Sequence, residues 1–161
     1  MPMSKPTEVH QNLARFAGTW TGQEVLHPSL WDPNGSTVQA RNETRLALGD
    51  FVVIGDYQQE KDGQVIFTGH SVHTYDANLK CHVLYWFDSM GVPPNVFTGN
   101  FAGDVLILMC EHTSSGGPRF SRLTYDMSKP GKMTSKLEMS DDGETWVSFM
   151  DGSYTRQGAK G

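Results

Sequence analysis

The feature that most constrains the fold is a series of tight-turn sequences that recur along the chain. They are Leu48-Gly49-Asp50, Lys61-Asp62-Gly63, Asp76-Ala77-Asn78, Ala102-Gly103-Asp104, Ser115-Gly116-Gly117-Pro118, Lys129-Pro130-Gly131 and Asp141-Asp142-Gly143. Gly, Asn and Asp are the residues that hairpin turns favour, because they adopt left-handed backbone conformations at little cost. The segments between these turns alternate apolar and polar residues, which predicts a chain built from β-hairpins.

These segments predict about ten strands. We place them near residues 18–26, 37–47, 51–60, 64–75, 81–88, 95–102, 104–112, 119–127, 132–140 and 145–155. The links are too short for parallel crossovers, so consecutive strands should pair as an antiparallel, up-and-down meander. Closing the sheet removes its two edges, and a barrel of more than eight strands is too wide for side chains to fill. The prediction is an all-β barrel with a ligand-sized cavity.

A short helix precedes the first strand. Thr7 is a favourable N-cap residue, and Val9, Leu13 and Phe16 follow at the spacing of an apolar helix face, with Gly18 as the stop. A helix of about ten residues is not stable alone, so its apolar face must be covered. We expect it to close one end of the barrel.

Length and charge limit the classes of function. The chain has 161 residues, which fits one domain over 1–161, and we expect flexible termini at 1–7 and 157–161. The net charge is −5 and no run of Lys and Arg interrupts the sequence, which argues against nucleic acid and membrane partners. The first residues contain no apolar run, so a cytoplasmic protein is expected, with Cys81 and Cys110 as reduced thiols.

Two stretches at opposite ends of the chain carry a resemblance. Gly18-Thr19-Trp20-Thr21-Gly22 follows the helix, and the last strand ends in Tyr154-Thr155-Arg156. A short helix running into Gly-x-Trp, about ten antiparallel strands and a final aromatic and basic residue resemble the calycin barrels. That group includes lipocalins, fatty-acid-binding proteins and nitrobindin-like haem proteins. The resemblance implies that Trp20 closes the barrel floor beneath Arg156 in a cation–π contact.

A closer resemblance covers residues 11 to 156. The stretches Thr68-Gly69-His70, Tyr75-Asp76, Tyr85-Trp86-Phe87-Asp88-Ser89 and Met139-Ser140-Asp141-Asp142-Gly143-Glu144-Thr145-Trp146 are similar to an uncharacterised, mostly bacterial family of small calycin-like domains. That family has no assigned function, so the resemblance implies a fold and no chemistry. Nitrobindin-like barrels carry a second His-bearing signature near the C-terminus, whereas the last histidine here is His112. We therefore expect no haem and no other cofactor.

His70 is the most interesting titratable residue for a function inside the barrel. If its face is interior, the imidazole can donate, accept or bind a ligand, and His73 points outward because side chains alternate along a strand. The hairpin register after Tyr75 decides its neighbours. When paired residue numbers have an even sum, His70 lies among Leu84, Trp86 and Asp88, which would make an acid–base pair with the carboxylate.

With an odd sum, His70 lies near Tyr85 and Phe87 in an aromatic box. The odd register would also bring His73 opposite His82 on the surface. Two imidazoles alone make a poor metal site, so no metal is predicted.

Three further residues complete the set of candidate lining residues. Period 2 from Trp20 carries Glu24 inward, where a buried carboxylate requires a partner such as Arg41 or Arg45. Tyr57 is another polar residue within a strand pattern. The long connection 27–35 contains Trp31, either as a lid over the barrel or as an anchor on its outside.

The sequence is compatible with four functions. The leading one is a binding module for an apolar or amphipathic small molecule, with the loop of Trp31 as lid. The proposed lining is His70, Trp86, Asp88, Glu24 and Tyr57. The second is an enzyme that uses His70 with Asp88 or Tyr85 as acid and base, although the common enzyme motifs are absent from the sequence. The third is a haem barrel, and the fourth a filled barrel acting through its surface, for example as a homodimer.

Overall fold

A computed structural model describes residues 3–30, 32–113 and 116–158. One α-helical turn, α1 (Glu8–Gln11), continues directly into a 3₁₀-helix (Asn12–Phe16). The strands that follow are β1 (Gly18–Leu26), β2 (Ser36–Ala47), β3 (Val52–Lys61), β4 (Gln64–Asp76), β5 (Cys81–Asp88), β6 (Asn95–Ala102), β7 (Val105–Glu111), β8 (Phe120–Asp126), β9 (Lys132–Ser140) and β10 (Val147–Arg156). The turn chemistry therefore predicted each strand to within about two residues at either end.

The ten strands form one closed antiparallel barrel in sequence order. Each strand pairs with the next, and β1 also pairs with β10, from Trp20 opposite Arg156 to Leu26 opposite Met150. Closure leaves none of the ten described strands at an unpaired edge, which is the reason a barrel was expected in place of an open sheet. The predicted all-β, up-and-down barrel is confirmed.

The helical segment differs in detail from the expected single helix. Thr7 begins it, with its N–H donating to His10 Nδ1 at 3.1 Å, but the α-helix gives way to a 3₁₀-helix after one turn. Residues three apart lie on one side of a 3₁₀-helix, so Leu13 and Phe16 point together into the barrel and are buried. Val9 was expected on the same face and is instead 38% exposed.

The two ends of the barrel differ in what covers them. The end next to the 3₁₀-helix, with the turns at 48–51, 77–80, 103–104 and 127–131, is called the helix end here. The opposite end, with the connections 27–35, 62–63, 89–94, 112–119 and 141–146, is the loop end. At the helix end, Leu13, Phe16 and Trp20 belong to the apolar core, together with Leu106, and Tyr125 packs against it.

Two further expectations concern the cysteines and the membrane. Cys110 is buried and Cys81 half-buried, and neither forms a disulfide within the described part of the chain. Among the residues described, no helix combines the length and apolar character needed to cross a bilayer.

Candidate functional site

The register of the β4–β5 hairpin places His70 outside the barrel. His70 pairs with Phe87, so the paired residue numbers have an odd sum. The His70 side chain is 44% exposed. Its Nδ1 lies 2.8 Å from Oδ1 of Asp56, which points outward from β3. The interior placement of His70 was therefore wrong, because a register shift of one residue exchanges the two faces of a strand.

The acid–base pair suggested for the interior is not assembled. Tyr85 is 40% exposed on the outer face. Asp88 points to the other face, where its Oδ2 accepts a hydrogen bond of 2.9 Å from the Trp86 indole N–H. His70, Asp88 and Tyr85 therefore do not meet inside the barrel.

The imidazoles that do face the interior are those of His73 and His82. The prediction that His73 points outward was wrong, since it pairs with the buried Leu84. His73 Nε2 lies 3.1 Å from His82 Nδ1, and the rings pack against Phe16 and Phe101 respectively. Burial lowers the pKa of His73 to about 3 and that of His82 to about 4, so both are neutral at pH 7.

A polar cluster surrounds Glu24 on the interior face of β1. Glu24 is 1% exposed, and its Oε1 accepts hydrogen bonds from the Tyr57 hydroxyl and from Gln59 Nε2 at 3.0 Å. Its Oε2 accepts the Tyr154 hydroxyl, whose oxygen lies 2.9 Å from Ser135 Oγ. Burial, and next the charge of Glu24, raise the pKa of both tyrosines above the ordinary value, so the hydroxyls stay protonated as donors.

The partner expected for Glu24 was wrong. Arg41 points outward and pairs with Glu43 at 2.6 Å, and Arg45 forms none of the described contacts with Glu24. Within the described residues, no Lys, Arg or His forms an ion pair with Glu24. The carboxyl group is thus held by neutral donors alone.

An aromatic pair adjoins this cluster toward the loop end. The rings of Tyr57 and Trp86 meet edge to face with centroids 5.5 Å apart. The Trp86 indole lies directly against the backbone of Gly69, where a Cβ atom would approach the ring to 2.3 Å. Only glycine at position 69 permits this ring position, and Asp88 fixes the indole through its N–H.

The contact between Trp20 and Arg156 that the resemblance implied is present. Arg156 Cζ lies 4.6 Å from the centroid of the Trp20 ring, whose N–H donates to the Phe16 carbonyl at 2.9 Å. Gly18 has a φ of 130° and lies against the Arg156 side chain. The contact fastens the end of β10 over the start of β1 and against the 3₁₀-helix.

Trp31 lies outside the described residues, so the prediction that it forms a lid stays a prediction. The segment before it is attached to the barrel wall, since His27 Nε2 lies 2.5 Å from Asp151 Oδ2. The Ser29 N–H donates to the Asp32 carbonyl at 2.9 Å, and Leu30 is 95% exposed.

Two concavities lie among the described residues, and neither is lined by Glu24, although Tyr57 of the polar cluster lines one of them. One, of about 250 Å³, is lined mostly by outward-pointing side chains of β2, β3 and β4. The other, of about 520 Å³, lies at the helix end beside Arg156. Neither corresponds to the interior cavity expected from the strand count.

Gln59 and Tyr154 are site residues that the sequence reasoning did not select. A signal was available for Tyr154, because period 2 backward from the inward-facing Arg156 reaches it. Gln59 follows Tyr57 in the same way. That both reach Glu24 depends on the barrel's closure and had no local signal.

The fold and the cluster together define a closed ten-stranded barrel with a buried carboxyl group on its inner wall. The chain belongs to the family described as proteins of unknown function, DUF1579, whose pattern it matches over residues 5–156. It is similar in fold to the crystal structure of Rv2717c from M. tuberculosis, with a TM-score of 0.69 and 15% sequence identity. That match covers 94% of this chain and 98% of the other, and at such identity it concerns the fold alone. No curated protein matches the chain.

Proposed function

We propose that the barrel binds a small amphipathic molecule at its loop end. Its polar end, a hydrogen-bond donor or a cation, would be directed at Glu24, and its apolar part would lie against Tyr57 and Trp86. The observation that carries the proposal is the buried Glu24 carboxyl group, which is held by three neutral donors.

A carboxyl group in this position is not what stability alone favours. Transfer of a charge from water into a protein interior is costly unless a cation offsets it, and an apolar side chain of similar volume is often as stabilising or more so. The three donors reduce this cost, yet a donor from a bound molecule would reduce it further. A buried carboxyl group without a cationic partner among the described residues is therefore a reasonable recognition point for a ligand.

The aromatic pair supports an apolar part for the same ligand. Tyr57 and Trp86 are half-buried, and Trp86 keeps its orientation through Asp88 on one side and Gly69 on the other. Rigid aromatic rings give a large contact area at little cost in side-chain entropy.

Native mass spectrometry of freshly isolated protein tests whether a molecule is retained. A reproducible added mass of a few hundred daltons, on the order of a pocket-sized ligand, supports the proposal. Protein that repeatedly carries no added mass counts against a retained ligand. An added mass of haem together with a Soret band would replace the proposal by a haem barrel.

Probes of known structure test how the ligand is oriented in the site, and the natural ligand need not be identified for this. Octylammonium, octanol and octanoate share one chain and differ in their heads, and the Glu24 cluster should favour them in that order. Amide chemical shifts in β1, β3 and β10 report the binding site. A preference for octanoate, or shifts confined to the outer face, would contradict the proposal.

The chain offers a matched pair of variants for this titration. Trp86 and Tyr85 are neighbours on opposite faces of β5. We expect Trp86→Ala to weaken octylammonium binding about tenfold, and Tyr85→Ala to leave it unchanged. Equal effects of the two substitutions would exclude the interior wall as the binding surface.

A further inference from the structure

Four cationic side chains from separate parts of the chain line the concavity at the helix end. Arg15 comes from the 3₁₀-helix, Lys129 from the β8–β9 turn, Lys132 from the start of β9 and Arg156 from the end of β10. The concavity has a volume of about 520 Å³, and Asp104 is the acidic residue among those that line it. The chain as a whole has a net charge of −5, so this end opposes the overall charge.

Nearby carboxylates offset only part of this positive charge. Arg15 is paired with Asp104 at 2.8 Å. Outside the lining, Asp126 has its pKa lowered, first by hydrogen bonds from Ser128 and to a lesser degree by the charge of Lys129. Four cations against these two carboxylates leave a net charge of about +2 around the concavity.

The remaining cations are held in place without a carboxylate partner among the described residues. Lys132 Nζ donates to Thr155 Oγ1 at 2.9 Å. Arg156 lies over Trp20 and donates from a terminal nitrogen to the Arg15 carbonyl at 2.6 Å. Its Nε group is buried, and within the described chain it has no acceptor. Packing, and not charge pairing, therefore fixes the guanidinium at the edge of the concavity.

We propose that this concavity binds the phosphate group of a small molecule. Several fixed cations with incompletely paired charge raise the local concentration of anions, and lysine and arginine both bind phosphate oxygens strongly. A phosphate monoester carries about −1.5 to −2 charges and three acceptor oxygens, which suits more than one cation at once. The site lies at the helix end of the barrel and shares no lining residue with the ligand site proposed at Glu24.

Pyrophosphate and inorganic phosphate are the probes that test it. Each is titrated into the protein at constant ionic strength, with sodium chloride as the reference and citrate as a second polyanion. We expect saturable amide shifts confined to residues 14, 15, 129, 131, 132 and 156. Shifts no different from those in chloride would overturn the site, and citrate binding as tightly as pyrophosphate would overturn its assignment to phosphate.

Two double variants with the same net charge separate the site from general electrostatics. Lys129→Ala with Lys132→Ala removes two exposed cations from the concavity, and we expect pyrophosphate affinity to fall about tenfold or more. Lys61→Ala with Lys80→Ala removes two exposed cations that do not line it and should leave the affinity unchanged. Equal losses in both variants would show nonspecific attraction and refute the proposal.

Discussion

The two ends of the barrel interior are built on different physical principles. At the helix end, Leu13, Phe16 and Trp20 are 0%, 7% and 1% exposed and form an apolar plug. Toward the loop end, Glu24 is equally buried but is surrounded by hydroxyl and amide donors. Apolar burial stabilises a fold directly, whereas a buried polar cluster at best breaks even with an apolar one. The difference indicates that the apolar plug contributes more to the stability of the fold than the polar cluster around Glu24 does.

The largest expected effect is at the helix end. Trp20→Ala removes a fully buried ring, its hydrogen bond to Phe16 and its contact with Arg156, so the free energy of unfolding should fall by about 3–5 kcal/mol. Guanidinium unfolding measures it. Trp146→Ala is the control, because Trp146 is half-buried and stacks on Arg122 at 4.2 Å, and should cost about 1 kcal/mol. Similar losses for both would refute the role of the plug.

At the loop end the expected effect is somewhat smaller and depends on what replaces the carboxyl group. Glu24→Ala removes the carboxyl acceptor of Tyr57 and Gln59 and leaves the Tyr154 hydroxyl with Ser135 Oγ alone, and it should cost about 2–4 kcal/mol. The triple variant Glu24→Leu, Tyr57→Phe, Tyr154→Phe removes the acceptor together with two of its three donors. We expect it to be more stable than Glu24→Ala, because the Tyr57 and Tyr154 hydroxyls are removed with their acceptor and only Gln59 and Ser135 lose a hydrogen-bond partner. A triple variant much less stable than Glu24→Ala would show that the main role of the cluster is to stabilise the fold.

The buried histidine pair predicts a loss of stability in acid. The folded pKa values, about 3 for His73 and about 4 for His82, lie below the ordinary 6.5. Between pH 6.5 and 4 the unfolded chain therefore binds protons that the folded chain does not. As the pH is lowered through this range, the free energy of unfolding should decrease by up to about 1.4 kcal/mol per pH unit for each imidazole.

The comparison of urea unfolding at pH 7 and pH 5 checks this prediction. The free energy of unfolding should differ less between pH 7 and pH 5 in His73→Gln than in the wild type, since glutamine does not titrate. Phe97→Leu serves as the control, because a buried apolar substitution should lower stability equally at both. An unchanged pH dependence in His73→Gln would contradict the assignment.

The smallest effect is expected on the outer wall. The side chains of His70 and Asp56 are 44% and 76% exposed, and exposed ion pairs contribute little. His70→Ala should change the free energy of unfolding by less than about 0.5 kcal/mol and leave octylammonium binding unaltered. A tenfold loss of octylammonium binding would show that His70 contributes to the binding site, and would contradict the distinction between the inner and outer faces of the barrel.

Local pattern was sufficient where a feature repeats along the chain. The strands followed from turn residues and period 2, and the inward direction of Glu24 followed from that of Trp20. Local pattern was not sufficient at the β4–β5 hairpin, because nothing in residues 76–80 sets the register. A register shift of one residue decides whether His70 or His73 faces the interior. The sequence therefore predicted the strands that carry the candidate site, but only some of its residues.

By itself, the sequence determined a closed antiparallel barrel with a helical segment at one end, because hydrophobic periodicity and turn chemistry are local properties. The tertiary structure alone decided the partners. The donors to Glu24 lie 33, 35 and 130 residues away in sequence, and the cations of the helix end come from four segments. Contacts at such separations depend on register and closure, which are set by the packing of the whole barrel and not by any single stretch of the chain.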